Sequence, residues 1–139
     1  MRGFILLLTV LLSACGAPET PLVIAEMEIT KPMPGMQMSA GYFVITNHTD
    51  EAMRITKISS PQFEAVELHE TTIADGISRM RELAALVVPA RSSVVLERGG
   101  KHLMLMRPRE LQNSVTLQFF SGDLPVLSVD YSFSEDERK

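Results

Sequence analysis

Apolar and polar residues alternate in short segments from Leu22 onward, a pattern that predicts β-strands. Turn sequences such as PMPG at 32–35 and RGGK at 98–101 separate the segments, and Asp75-Gly76 is a strong hairpin signal. The predicted strands are 22–30, 42–46, 53–59, 63–72, one or two within 77–88, 94–97, 103–106, 115–120 and 126–133. No segment has a long helical period, so we predict an all-β fold: an antiparallel sandwich or barrel of about eight or nine strands.

The first residues follow a different pattern, typical of an export signal. Arg2 precedes an apolar run at 4–12 that is too short to span a bilayer as a stable helix. The sequence Leu-Ser-Ala-Cys then ends at Cys15 and resembles a bacterial lipobox. We therefore predict a lipoprotein signal peptide at 1–14, lipidation of Cys15 and a periplasmic or other extracytoplasmic location with a lipid anchor in a membrane. A plain signal peptide with an incidental Cys is the alternative.

The remaining organisation follows from composition. Residues 15–21 form a small, Pro-containing tether, 22–133 a single domain, and 134–139 a charged tail. The net charge is −4 and there is no run of Lys and Arg, which argues against a nucleic-acid partner. Cys15 is the only Cys, so the predicted domain has no disulfide and lacks the thiolate of a blue-copper electron-transfer site.

Methionine is abundant, with nine residues, and the segment GGKHLMLM at 99–106 places two of them in a row with a histidine. In a strand, successive side chains point to opposite faces. Leu103 and Leu105 are then predicted to face the core, and His102, Met104 and Met106 to share the other face. Met106 is expected to serve packing or a hydrophobic rim rather than to act as a ligand.

A second segment, VELHETTIADGISRM, carries His69 and Met80. His69 alternates with apolar residues and is predicted to point away from the core. The Asp75-Gly76 turn brings Met80 back toward it, so that His69 and Met80 are predicted cross-strand neighbours. Two imidazoles and two thioethers would form a neutral, soft donor set, which favours Cu(I) over Zn²⁺, Ca²⁺ or Mg²⁺.

The spacing of these four residues is His69, ten residues, Met80, twenty-one residues, His102, one residue, Met104. It matches the pattern His-x10-Met-x21-His-x-Met, and together with AGYFVITN at 40–47 and LHE at 68–70 it resembles the PCu(A)C-type periplasmic copper chaperones. The resemblance implies a cupredoxin-like β-sandwich that binds one Cu(I) through His69, Met80, His102 and Met104. It also implies a copper-accepting partner, either the CuA subunit of cytochrome oxidase or a Sco-type protein.

Two glutamates and three further methionines are also candidates for supporting the motif. Glu67 and Glu70 are candidates to orient a His ring, and Glu67 is the better one because it shares the face of His69. Met33, Met36 and Met38 are expected to pack a loop against the sandwich. The alternative is that they shield the metal or hand copper on.

The sequence contains no Ser-His-Asp signature, phosphate loop or HExxH motif, so we do not predict an enzyme. The predicted function is an extracytoplasmic copper chaperone that assists cytochrome oxidase assembly and transfers Cu(I) by ligand exchange. Two alternatives remain open: a lipid-anchored structural or interaction sandwich without a metal role, and a copper redox enzyme.

Overall fold

The computed structural model describes residues 20–109 and 113–134. The predicted signal peptide, Cys15, most of the tether and residues 135–139 lie outside this part of the chain. The described residues form eleven strands: β1 Leu22–Ile29, β2 Met38–Asn47, β3 Met53–Ile55, β4 Lys57–Ser59, β5 Phe63–Ala74, β6 Ile77–Glu82, β7 Leu86–Val88, β8 Ser92–Leu96, β9 Lys101–Pro108, β10 Ser114–Ser121 and β11 Leu124–Ser132. Across these two ranges, no helix has the length and apolar character needed to cross a bilayer.

Nine of the strands form one antiparallel sheet whose main path is β1-β2-β9-β5-β4-β10-β11. The first and last strands of this path, β1 and β11, lie against each other, so the sheet curls almost into a closed barrel. Strands β6 and β8 extend it by pairing with β5 and β2, and β3 pairs with β7 in a separate two-stranded ribbon. The all-β, antiparallel architecture predicted from the alternation is confirmed.

The core lies between the two layers of the curled sheet. Phe43 of β2 meets Phe119 of β10 edge to face, with ring centroids 5.8 Å apart. Leu103 and Leu105 of β9 are fully buried in the same core, as the alternation of that segment predicts. Because these leucines point inward, the residues between them point to the outer face of the sheet.

The predicted single strand at 53–59 is in fact two strands. β3 pairs with β7 in the ribbon, whereas β4 pairs with β10 and β5 in the large sheet. At the break, the Thr56 backbone N–H donates to the Phe120 carbonyl, and the Gly122 N–H donates to the Thr56 hydroxyl. Ile55 and Ile58 are both buried, with exposed Thr56 and Lys57 between them, so the two-residue alternation is interrupted at this corner.

The β5–β6 hairpin closes at Asp75-Gly76, as predicted. Both turn residues have positive φ, 53° and 74°, which is the geometry of a type I′ two-residue turn. Ala74 therefore pairs with Ile77, and the register of the whole hairpin follows from that pair.

Candidate metal centre

Three adjacent strands, β2, β9 and β5, build one face of the sheet on which the motif residues meet. Strand β9 lies in the middle. His69 of β5 is directly opposite His102 of β9, and Glu67 is directly opposite Met104. The two imidazole rings have centroids 6.1 Å apart. The pairing therefore brings together two histidines that are thirty-three positions apart in the sequence.

Met80 joins this group from β6. It pairs with Thr71, and His69 pairs with Glu82, so Met80 is the diagonal neighbour of His69 across the hairpin. The predicted cross-strand proximity is confirmed, with an offset of two residues from direct pairing. The cause is the turn, because a two-residue loop at Asp75-Gly76 sets the register. The Met80 side chain nevertheless lines one shallow cleft with His102 and Met104.

The ring of His69 is oriented by Glu67. Its Nε2 lies 3.0 Å from a carboxylate oxygen of Glu67. An ionised carboxylate only accepts hydrogen bonds, so Nε2 carries the proton and Nδ1 carries the lone pair. Among the described residues, that Nδ1 is a buried side-chain nitrogen without a hydrogen-bond partner. An unsatisfied buried acceptor is costly, by about 1–3 kcal/mol, and a bound cation would satisfy it.

His102 is held in the complementary tautomer. Its Nδ1 lies 3.0 Å from the Gly100 carbonyl oxygen, which only accepts, so Nδ1 donates and Nε2 carries the lone pair. The residue is 7% exposed. Tyr42 of β2 flanks the imidazole at 6.4 Å between ring centroids, and the Arg98 guanidinium lies 4.6 Å from the centroid of the Tyr42 ring. In each histidine, therefore, one ring nitrogen carries the proton and the other has a lone pair available to bind a metal ion.

Glu70 belongs to different surroundings. It makes ion pairs with Arg81 at 2.8 Å and with Lys101 at 3.0 Å, and it follows His69 on the opposite face of β5. Hydrogen bonds from Arg81 and then from Lys101 lower the pKa of the Glu70 carboxyl below its usual value. Of the two glutamates considered for orienting a ring, Glu67 makes the contact, and Glu70 instead links the hairpin to β9.

The loop methionines are not packed against the sandwich. Met33, Met36 and Met38 are 70%, 49% and 47% exposed, so the expectation that they fill a loop–core gap is wrong. Met38 begins β2 and lines the same cleft as Met80, His102 and Met104.

Sequence reasoning did not identify Tyr42 as part of this face, and it considered Met38 only as the alternative in which the loop methionines shield the metal or hand copper on. The signal was available in β2, where Phe43 and Ile45 are buried and alternate residues must point outward. What the alternation could not supply was the pairing of β2 with β9.

The donor set determines which ions this face suits. Within residues 20–109 and 113–134, no three His, Cys, Asp or Glu side chains converge on one point. The side chains of His102, Met80 and Met104 line one cleft, and His69 lies directly opposite His102, so this face carries imidazole nitrogens and thioether sulfurs. Such neutral, soft donors are chemically matched to Cu(I).

Comparison with known proteins is consistent with this geometry. The profile of a family described as "Putative lipoprotein LpqE-like" matches residues 21–123. A protein of Leifsonia xyli subsp. xyli (strain CTCB07), named "Putative lipoprotein Lxx21020", is 30% identical over 114 residues, which cover 76% of this chain and 69% of that protein.

Two solved structures show the same fold. The copper-bound PCuAC domain from PmoF2 has a TM-score of 0.66 at 17% identity and covers 82% of this chain and 92% of that domain. The Cu(I) form of DR1885 from Deinococcus radiodurans has a TM-score of 0.58 at 26% identity and covers 88% of this chain and 83% of that one. The cupredoxin-like sandwich and the resemblance to PCu(A)C-type proteins are thereby confirmed.

Proposed function

From the premise that the chain belongs to the LpqE-like lipoprotein family and has the fold of PCuAC domains, we propose that it is an extracytoplasmic, lipid-anchored copper chaperone. One Cu(I) is its cargo. The ion is held on the outer face of β5, β6 and β9 by His69, Met80, His102 and Met104. Cys15 is the proposed lipidation site, and the membrane is reached through that lipid.

The observation that carries this proposal is the pair of oriented imidazoles. The buried Nδ1 of His69 has no hydrogen-bond partner in the part of the chain that the structure describes. His102, directly opposite, has its Nδ1 engaged by Gly100. His69 would bind through Nδ1 and His102 through Nε2. The thioethers come from Met80 and Met104, which both line the cleft beside His102.

Release follows from the same donor chemistry. Imidazole and thioether ligands are neutral and weaker donors for Cu(I) than thiolates, so the ion can pass by ligand exchange to a thiolate-bearing acceptor. The proposed acceptor is the CuA subunit of cytochrome oxidase or a Sco-type protein. Only metal–ligand bonds are exchanged and the copper stays Cu(I), so the proposed role is that of a carrier and not of an enzyme.

X-ray absorption of the Cu(I)-loaded protein tests the site directly. We expect two nitrogen and two sulfur neighbours around one copper ion, because both imidazoles and both thioethers lie on one face. The chain should carry Cys15→Ala, so that no thiol contributes a sulfur. A spectrum with only nitrogen and oxygen neighbours, or no copper retained after desalting, contradicts the proposed site.

Removing the orienting carboxylate should weaken copper binding without removing a ligand. Glu67→Ala frees the His69 ring to rotate, and loss of such a partner typically lowers metal affinity about 10–100-fold. The matched control is Glu70→Ala, which removes a carboxylate three positions away on the opposite face of the same strand. Competition with a chromophoric Cu(I) chelator measures both. Equal affinities for the two variants would show that Glu67 does not act through His69.

A further inference from the structure

Beyond the proposed ligands, two methionines form a second thioether pair on the same face. Met38 of β2 is directly opposite Met106 of β9. The pair of Ala40 with Met104 lies two residues away along the same two strands. Directly opposite residues in an antiparallel pair have Cβ atoms about 4.5–5.5 Å apart. The two flexible side chains can therefore bring their sulfur atoms to one point.

The surroundings leave room for an ion between these sulfurs. On the other side of β9, Met106 is opposite Ala65, whose side chain is a single methyl group. Ala40 is the corresponding small neighbour beside Met104. Each methionine of β9 on this face therefore has one small cross-strand neighbour, Ala65 beside Met106 and Ala40 beside Met104.

The exposure of Met38 is a second, independent observation. Methionine is ordinarily a core residue, yet 47% of Met38 is accessible while it also lines the cleft with Met80 and Met104. The Arg107 backbone N–H donates to the Gln37 carbonyl at 2.7 Å, which holds the start of β2 against the end of β9. Met38 is thus fixed beside Met106 and open to solvent.

We infer that Met38 and Met106 form an accessory Cu(I) site that exchanges the ion with the His69/Met80/His102/Met104 centre. This inference rests on the proposed function, because it assigns a path to the same cargo. Two thioethers bind Cu(I), but more weakly than two thioethers with two imidazoles. An exposed, weaker site next to a stronger one is the arrangement expected where Cu(I) enters and leaves the stronger site.

Nuclear magnetic resonance of ¹³C-methyl-labelled methionine tests the inference in the full chain carrying Cys15→Ala, titrated with Cu(I) without oxygen. We expect the methyl signals of Met80 and Met104 to shift in the first equivalent. Those of Met38 and Met106 should shift in the second. Met27 and Met53, which are packed against the core, should not respond.

The variant Met106→Leu removes one thioether of the pair at a residue outside the lining of the cleft, keeps the apolar volume and should fold. We expect its first equivalent to bind as in the unchanged protein, its second equivalent to bind about tenfold more weakly or not at all, and its transfer of copper to a thiolate chelator to slow. Met53→Leu is the matched control and should change none of these.

Three results would overturn the accessory site. If Met80 and Met104 respond but Met38 and Met106 do not, the carrier stands and the accessory site falls. If Met33 and Met36 respond together with Met38 and Met106, the binding reflects exposure of thioethers and not this cross-strand pair. If no methionine responds, the proposed function fails and the accessory site with it.

Discussion

The variant His69→Ala/His102→Ala is expected to lose high-affinity Cu(I) binding, with a fall in affinity of about a thousandfold or more. Loss of a residue that merely orients a ligand lowers metal affinity about 10–100-fold, so loss of a ligand itself should cost at least as much, and two losses multiply. The two remaining thioethers cannot replace the imidazole nitrogens. Competition with a chromophoric Cu(I) chelator measures the change.

The third histidine provides the control. His48 is exposed in the turn after β2, at the end of that strand remote from Met38, and His48→Ala should leave Cu(I) affinity unchanged. Circular dichroism should show that the double variant keeps its strands, because both replaced side chains lie on the outer face. Wild-type affinity in the folded double variant would contradict the carrier function and leave the structural sandwich as the better explanation.

Phe119→Ala is expected to lower the free energy of unfolding by about 3–5 kcal/mol, the usual cost of truncating a large buried aromatic side chain. Phe119 has no exposed surface and meets Phe43 from the opposite layer at 5.8 Å. The loss combines the transfer free energy of the ring with the cavity that it leaves, and it removes one aromatic contact across the core. Urea denaturation followed by circular dichroism gives the change in midpoint.

The control is Leu124→Ala on β11, the strand paired with β10. Leu124 is 71% exposed, so its truncation should change the free energy of unfolding by no more than about 0.5 kcal/mol. If Phe119→Ala were equally mild, the layer containing β10 would not pack across the core as described.

The outer face of β9 was predictable from the alternation of its residues. Leu103 and Leu105 had to point inward together, so His102 and Met104 had to point outward together. The hairpin at Asp75-Gly76 was also predictable, because few sequences favour two successive residues with positive φ. The same turn predicts the register of β5 and β6, and counting from it would have placed Glu82, not Met80, opposite His69.

Residues 53–59 and 33–38 show where sequence reasoning was insufficient. At 53–59 the spacing of the apolar residues changes from two to three after Ile55, where the chain changes sheets at Thr56. The pattern records which face is buried and not which strand is adjacent. The methionines at 33–38 are exposed because the turn and the pairing of β2 with β9 hold them outside the core. Their apolar character alone predicted the opposite.

The sequence by itself determined the donor chemistry and the side of the strand on which each donor lies, because residue type and the two-residue period of a strand are local properties. Only the tertiary structure decided that β5, β9 and β2 are neighbours, that His69 is opposite His102, and that Glu67 and Gly100 select which nitrogen of each ring is free. The strand order and the pairing of His69 with His102 depend on long-range register. The free nitrogen of each ring depends on the conformation of a partner only two residues away. A local pattern of apolar and polar residues encodes neither.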